Sequence, residues 1–431
     1  MPNTIQQNLN RLTNVKTDIA DAIISAGGTV NVGDGLEEFA DDINNRFNEV
    51  NSTIEGLLAA PQIRDVTIDF INETQEFTGI SADKLSVYKN ITRCNVADDG
   101  TINAYYGDNS YTEDGTNGQV MVKIPKFYYK VNHTLSSNNI NVGNWSITNE
   151  LRDGYTVHPA FKNANNREID YFLIGAFELC FDPYNSNKGA SIGRQDIIYQ
   201  WSNRGQLRNY CTRRGNNWYL LGIRQWSAIQ MLFLVEYGCN AQSSVGLGVV
   251  NMSSGYSPAI CGYTVGNTTG NADSTVYGDG RTYTTNGYVS VNYRGIENLW
   301  GNCWFPVEGI TAGTDYKLYI NNTYNFSDSA TGTALSIRPG TGYSGGGYIK
   351  KFGYSPTYKW LFIPNTVDST YNNLFGGDRG SWGTDASTTY IPSYGGNDTS
   401  GNVAGMFTMG VYTKSNESYP NFTGRLMYIP S

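Results

Sequence analysis

Near the start of the chain, Ile5, Leu9, Leu12, Val15, Ile19 and Ile23 recur at spacings of three and four, which lines them along one face of a helix. Gly27 and Gly28 end that run. Beyond them, Asp34 with Glu37 three places on reads as a capping signal, and Leu36, Phe39, Ile43, Phe47, Val50, Ile54 and Leu57 continue the alternation. A lone helix cannot bury such a stripe. Two readings follow: a parallel homotrimeric coiled coil with Ile5, Leu9, Leu12, Leu36, Phe39, Ile43 and Phe47 in its oligomerisation seam, or packing on the chain's own β-rich part.

From about residue 62 the period changes to two, as in Val66, Ile68 and Phe70, and Tyr, Asn and Gly become frequent. The pattern divides the chain into a helical attachment segment (1–60), β-rich strands and a hairpin (61–135) and a larger β-rich domain (136–431). Asp99-Gly100 between residues 90–96 and 102–105 predicts a two-residue hairpin turn, and residues 120–131 (VMVKIPKFYYKV) predict one long strand. The one convincing helix of this part is 227–237, with Ser227 as cap, Gln230 closing a capping box, Trp226 and Met231 as a hydrophobic staple and Gly238 as stop. The expected fold class is therefore α+β: a coiled-coil-like helical segment followed by a β-rich domain.

Composition sharpens this picture. Only 16% of the 431 residues are charged, while 49 Gly, 32 Tyr and 8 Trp favour short strands, tight turns and rigid rings suited to binding surfaces. With a net charge of -8 and no basic run, the chain lacks the footprint that phosphate backbones require, so nucleic acid is not an expected partner. No apolar stretch reaches the roughly 18 residues of a membrane span, and the first residues are polar and helical, so neither membrane insertion nor a signal peptide is expected. Six cysteines scattered from Cys94 to Cys303 without a C-x-x-C pair read as buried free thiols rather than a metal or disulfide framework.

Four landmarks then carry a resemblance. Arg224-Gln225-Trp226-Ser227-Ala228-Ile229-Gln230 through Glu236-Tyr237-Gly238 resembles the R-x-P-T-E-A-E-W-E-Y-A helix of the formylglycine-generating and sulfatase-modifying family, a branch of the C-type-lectin-like fold. Gly295 to Trp304 with Val307-Glu308-Gly309, then Arg379-Gly380-Ser381-Trp382, then Gly424-Arg425-Leu426, resemble that family's N-V-W-E-W, R-G-G-S-W and G-F-R-L signatures in order. The chain is closer still to phage tail and variable receptor-binding proteins of this fold, through Val157-His158-Pro159-Ala160-Phe161, residues 169–178 and Leu36-Glu37-Glu38-Phe39. The resemblance implies a C-type-lectin-like domain on a virion-associated, trimeric adhesin, attached to other virion proteins by its N-terminal helices and assembled in the bacterial host cytoplasm. It leaves open whether the particle part is tail fibre, baseplate or head fibre.

Catalysis is not expected. The family's catalytic cysteines follow the R-G-G-S-W segment, whereas none follows Trp382 here. Of the two histidines, His158 reads as a packing residue; the G-x-G-x-x-G and G-x-S-x-G strings within residues 340–346 lack the strand and helix such motifs need. Glu236, Glu297 and Glu308 are available for an acid pair but read as structural acceptors, and the acidic loops at 98–99 and 108–114 lack a calcium-loop pattern, so no metal and no cofactor is expected. Binding is placed in residues 371–419, where rings and amides alternate with small residues: Tyr371, Tyr390, Tyr394, Asn397, Tyr412 and Asn416 are the ligand-binding candidates, with Trp382 in the core. The expected function is adhesion to a host-surface glycan or protein. An architectural virion decoration protein and a surface-glycan depolymerase are the alternatives.

Overall fold

The computed structural model describes residues 4–25, 45, 48–50, 52, 62–193, 201–253, 261–276, 282–285, 287–338, 346–383, 385 and 387–431. Contacts divide the chain into residues 1–61 and Gln62–Ser431.

In the first unit, helix α1 spans Ile5–Ser25. Its start is a reciprocal cap: the Gln7 amide donates to Thr4 Oγ1 at 3.3 Å while the Thr4 amide donates to Gln7 Oε1 at 2.9 Å. Ile5, Leu9, Leu12 and Val15 of the predicted stripe are exposed. The structure thus has a short N-terminal helix and not the coiled coil expected, because a seam needs a partner helix along its stripe and, among the described residues, that stripe is exposed. The predicted continuation through Leu36, Phe39, Ile43 and Phe47 lies outside the described residues.

The second unit is mixed α+β and strand-rich. One five-stranded antiparallel sheet runs in the order Thr74–Gly79, Ile63–Asp69, Asn139–Thr148, Tyr128–Ser136 and Thr156–Val157. Val66 and Ile68 point inward, as their alternation predicted. The boundary placed at 135/136 falls inside the hairpin of this sheet, where Ser136 pairs with Asn139. A six-stranded sheet runs Trp218–Leu220, Leu426–Tyr428, Tyr171–Gly175, Gln119–Pro125, Thr92–Val96 and Ile102–Tyr105. The predicted strand 120–131 is therefore two strands in two sheets, Gln119–Pro125 and Tyr128–Ser136. Pro125 ends the first, since it has no N–H for a continuing ladder.

The hairpin after Val96 is also wider than predicted. The Ala97 amide pairs with Thr101 O and the Gly100 amide with Ala97 O, so three residues form the loop. Gly100 sits at φ +90, with Tyr428 packed where a side chain would begin.

Helix α2 (Arg204–Thr212), not foreseen, is signalled by a capping box between Asn203 and Gln206. Helix α3 (Ile223–Tyr237) begins four residues before the predicted start, and Ser227 lies inside it, donating to Arg224 O at 2.9 Å. The true start is set by tertiary contact: the Ile223 amide donates to Glu308 O at 2.8 Å, and Glu308 returns its own amide to Leu221 O at 2.8 Å. Gly238 stops the helix at φ +83, as expected. Every residue from Ile223 to Val235 is buried, so α3 is a central helix walled on all sides. Two of its polar side chains reach neighbours, Gln225 Nε2 donating to Ala160 O and Gln230 Nε2 to Met406 O, and Tyr88 Oη donates to Leu232 O.

The third and largest sheet has nine strands, and its centre is Tyr390–Gly395, Gly405–Lys414 and Arg379–Trp382. Arg379–Trp382 runs parallel to Gly405–Lys414, whereas the other pairings are antiparallel. All six cysteines are buried, and none forms a disulfide among the described residues.

Candidate functional site

Alternation along two paired strands builds the site. In Arg379–Trp382, Gly380 and Trp382 face the core while Arg379 and Ser381 face out. In Gly405–Lys414, Met409 and Val411 are interior and Tyr412 is exposed. Gly410 makes room for the Tyr412 ring: a Cβ there would stand 2.7 Å from Tyr412 Cε1. The ring edge meets Trp304, with centroids 6.0 Å apart at 87°. Trp304 is fixed through its backbone, which donates to Asn421 O and accepts from the Thr423 amide.

The loop joining the two long strands closes one wall. Asn397 Oδ1 accepts from Ser400 Oγ at 2.5 Å, and the Ser400 Oγ accepts the Asn397 amide at 2.9 Å. The Asp398 amide donates to Asn302 O and the Gly401 amide to Val250 O, so the loop is anchored at both ends. Below it, Thr408 Oγ1 donates to Val403 O and accepts the Arg379 amide. The result is an open cleft of about 430 Å3 bordered by Trp304, Tyr412, Arg379, Ser381, Asn397 and Thr399.

Charge in the cleft is one-sided. The Arg379 guanidinium donates to Gly346 O at 3.3 Å and forms no ion pair among the described residues. Two acids stand behind the wall rather than in it. Asp378 is buried and accepts the Phe407 amide at 2.8 Å, and burial pushes its carboxyl up to about 8. Asp398 is buried too, with its carboxyl pushed up to about 7 by the same cause.

Of the six predicted ligand-binding residues, the structure brings Asn397 and Tyr412 together here. Tyr390 and Tyr394 are interior, which corrects their placement on the binding face. Tyr390 Oη accepts the Asp385 amide at 2.9 Å, and Tyr394 packs between Trp226 and Phe305 because its strand crosses the middle of the largest sheet. Tyr371 and Asn416 are exposed but stand outside the cleft; the Tyr371 ring contacts Tyr348 instead. Trp304, Arg379, Ser381 and Asn421 also border the cleft and are not among the predicted binding residues. Trp304 and Arg379 lay in plain sight inside the W-G-N-C-W and R-G-S-W landmarks, but nothing local showed which landmark residues face outward.

The remaining candidates are structural. Glu236 pairs with Arg294 and Tyr293, Glu297 accepts the amides of Gly262, Tyr263 and Thr264, and Glu308 pairs with Arg208. Arg425 of the terminal landmark clamps the carbonyls of Gly175, Ala176, Glu297 and Asn298. Trp382 is buried as expected, and His158 is packed among Phe127, Tyr129, Phe161 and Trp360. Among the described residues, no three His, Cys, Asp or Glu side chains converge in a metal-like cluster. Most of the glycine-rich string, including Gly340, Gly342, Ser344 and Gly345, lies outside the described residues. No helix of the described residues is long and apolar enough to cross a membrane.

No known family profile matches the chain, and no curated protein matches it. The solved structure of PvdO from Pseudomonas aeruginosa aligns over 74% of this chain and 97% of its own, at 12% identity and a TM-score of 0.29. A likeness of that size carries no argument about ligand or activity.

Proposed function

We propose that this chain is a non-enzymatic adhesion protein of a bacteriophage particle, and that the cleft between Trp304, Tyr412 and Arg379 holds a glycan of the host surface. The observation that carries the reading is the cleft itself: aromatic edges, an amide, hydroxyls and a guanidinium converge on one open concavity of about 430 Å3. Rings supply apolar contact to a sugar face, and fixed amides and hydroxyls read its hydroxyl pattern. The three glutamates considered for hydrolysis are each held by structural donors away from this cleft, which favours gripping over cutting. The exposed stripe Ile5, Leu9 and Leu12 on α1 favours attachment to other virion proteins and assembly as a trimer. Three weakly binding tips on one stalk gain avidity through effective concentration.

The test is binding of the purified full chain to immobilised bacterial surface polysaccharides and to intact cells, competed by the free polysaccharide. Trp304→Ala and Tyr412→Ala are expected to weaken binding roughly tenfold each, equivalent to about 1.4 kcal/mol per ring. Variants that bind as the parent does, or release of reducing ends from the polysaccharide, would overturn the reading.

A further inference from the structure

A second concavity, independent of the Trp304 cleft, contains an uncompensated positive charge. It is a cleft of about 360 Å3 bordered by Arg224 at the start of α3, Lys162, Asn166, Asn322, Tyr129 and Trp360. Arg224 is 8% exposed. Among the described residues its Nη2 is buried without a hydrogen-bond partner, and the Tyr324 ring lies 4.4 Å from the guanidinium carbon. The Tyr324 hydroxyl is already committed, donating to Lys162 O at 2.9 Å and accepting from Gln225 Nε2 at 3.0 Å. Among the described residues, no Asp or Glu borders this cleft.

A buried guanidinium ordinarily has a carboxylate or a set of carbonyls to replace lost water. Arg204 and Arg425 of this same chain follow that rule, with five and four acceptors respectively. Arg224 breaks it. Beside it, His158 is fully buried, and its Nδ1 accepts the Ala160 amide at 3.2 Å. The neutral ring therefore carries its proton on Nε2, which also has no partner. Burial, and after it the Arg224 charge, hold the His158 imidazole well below its usual range, so the ring stays neutral and donates. The buried Arg224 donor without an acceptor, with a lysine and two amides also bordering the cleft, describes a site lacking an acceptor.

We infer that this cleft is a binding site for an oxyanion, a carboxylate, sulfate or phosphate group, held by the Arg224 guanidinium with Lys162 at the rim. The planar fork of arginine matches two oxygens of any of these groups, and the position of Arg224 in the first turn of α3 adds the positive end of the helix dipole.

The experiment titrates the full chain with sodium sulfate, inorganic phosphate and glucuronate against sodium chloride at matched ionic strength, reading heat of binding and melting temperature. At least one of the three is expected to bind and to raise the melting temperature by several degrees; comparing the carboxylate with the tetrahedral anions identifies the preferred source. R224M should lose at least tenfold in affinity and yet melt no lower than the parent in chloride, since it removes an unpaired charge. K162Q, at the rim, should lose severalfold and guards against a folding defect in the first variant. K317Q, at an exposed lysine that borders neither cleft, should bind the anion as the parent does. No response beyond chloride, equal binding by R224M, equal loss in K317Q, or a high-resolution map with water alone at Arg224 would each overturn the assignment.

Discussion

Glu308→Ala is expected to destabilise the fold by about 3–5 kcal/mol, the cost of stripping one partner from a buried ion cluster. Two arginines and two acids meet at the N-terminal ends of α2 and α3. Arg208 Nε donates to Glu308 Oε1 at 2.6 Å and Arg208 Nη2 to Asp328 Oδ1 at 2.7 Å, while Arg204 Nε donates to Asp328 Oδ1 at 2.7 Å. The Arg204 and Glu308 side chains are wholly buried. Removing the Glu308 carboxylate leaves the cluster with net charge +1 in a site where water cannot replace it. Arg208, at 19% exposed, has some freedom to turn outward, which favours the lower end of the range. The measurement is the urea midpoint of the variant against the parent, with Arg208→Met/Glu308→Leu as a companion. The double variant should recover much of the loss, because apolar groups of similar volume leave no orphan charge. A single-variant loss below about 1 kcal/mol would show that the cluster does not hold the two helix starts together.

The second large effect is a pH dependence set by Asp378. Its carboxyl is held up at about 8 by burial, against the ordinary value of 3.8. Below about pH 4 it is protonated in both states, and the stability it contributes is fully present. As pH rises, the unfolded chain ionises first, so that stability drains away until about pH 8, where the folded carboxyl ionises too. A shift of this size is worth on the order of 5 kcal/mol. Asp378→Asn reproduces the neutral acid and can still accept the Phe407 amide, so the difference between parent and variant should slope across pH 4–8. Taking the difference cancels the other buried groups, including Glu178, pushed up to about 7, and His133, pushed down to about 4. Parallel stability curves for the two proteins would refute the assignment. Since Asp378 precedes Arg379, the same variant also asks whether the cleft strand keeps its register when the anchor cannot ionise.

Some of this was legible locally and some was not. Gly238 was recognised as the stop of α3 because a positive φ is a property of one residue. The start of α3 was misplaced by four residues, because a backbone bond to Glu308, 85 positions away in the chain, satisfies the first amide and makes a local cap unnecessary. The run 120–131 looked like one strand because both halves alternate well, yet Pro125 hands the chain to a different sheet. Within the aromatic-rich segment 371–419, Asn397 and Tyr412 border the cleft while Tyr390 and Tyr394 go inward, and Trp304 reaches the cleft from outside the segment.

By itself the sequence determined the mixed α+β class of the strand-rich part, the change from helical to alternating period near residue 62, the buried thiols and the ring-rich composition of the candidate site. Each of these follows from short-range periodicity or from residue type. Only the tertiary structure decided which rings face solvent, which arginines find acceptors and which acids stay protonated. Those outcomes depend on the dielectric and the neighbours at a point in space, and residues far apart in the chain supply both.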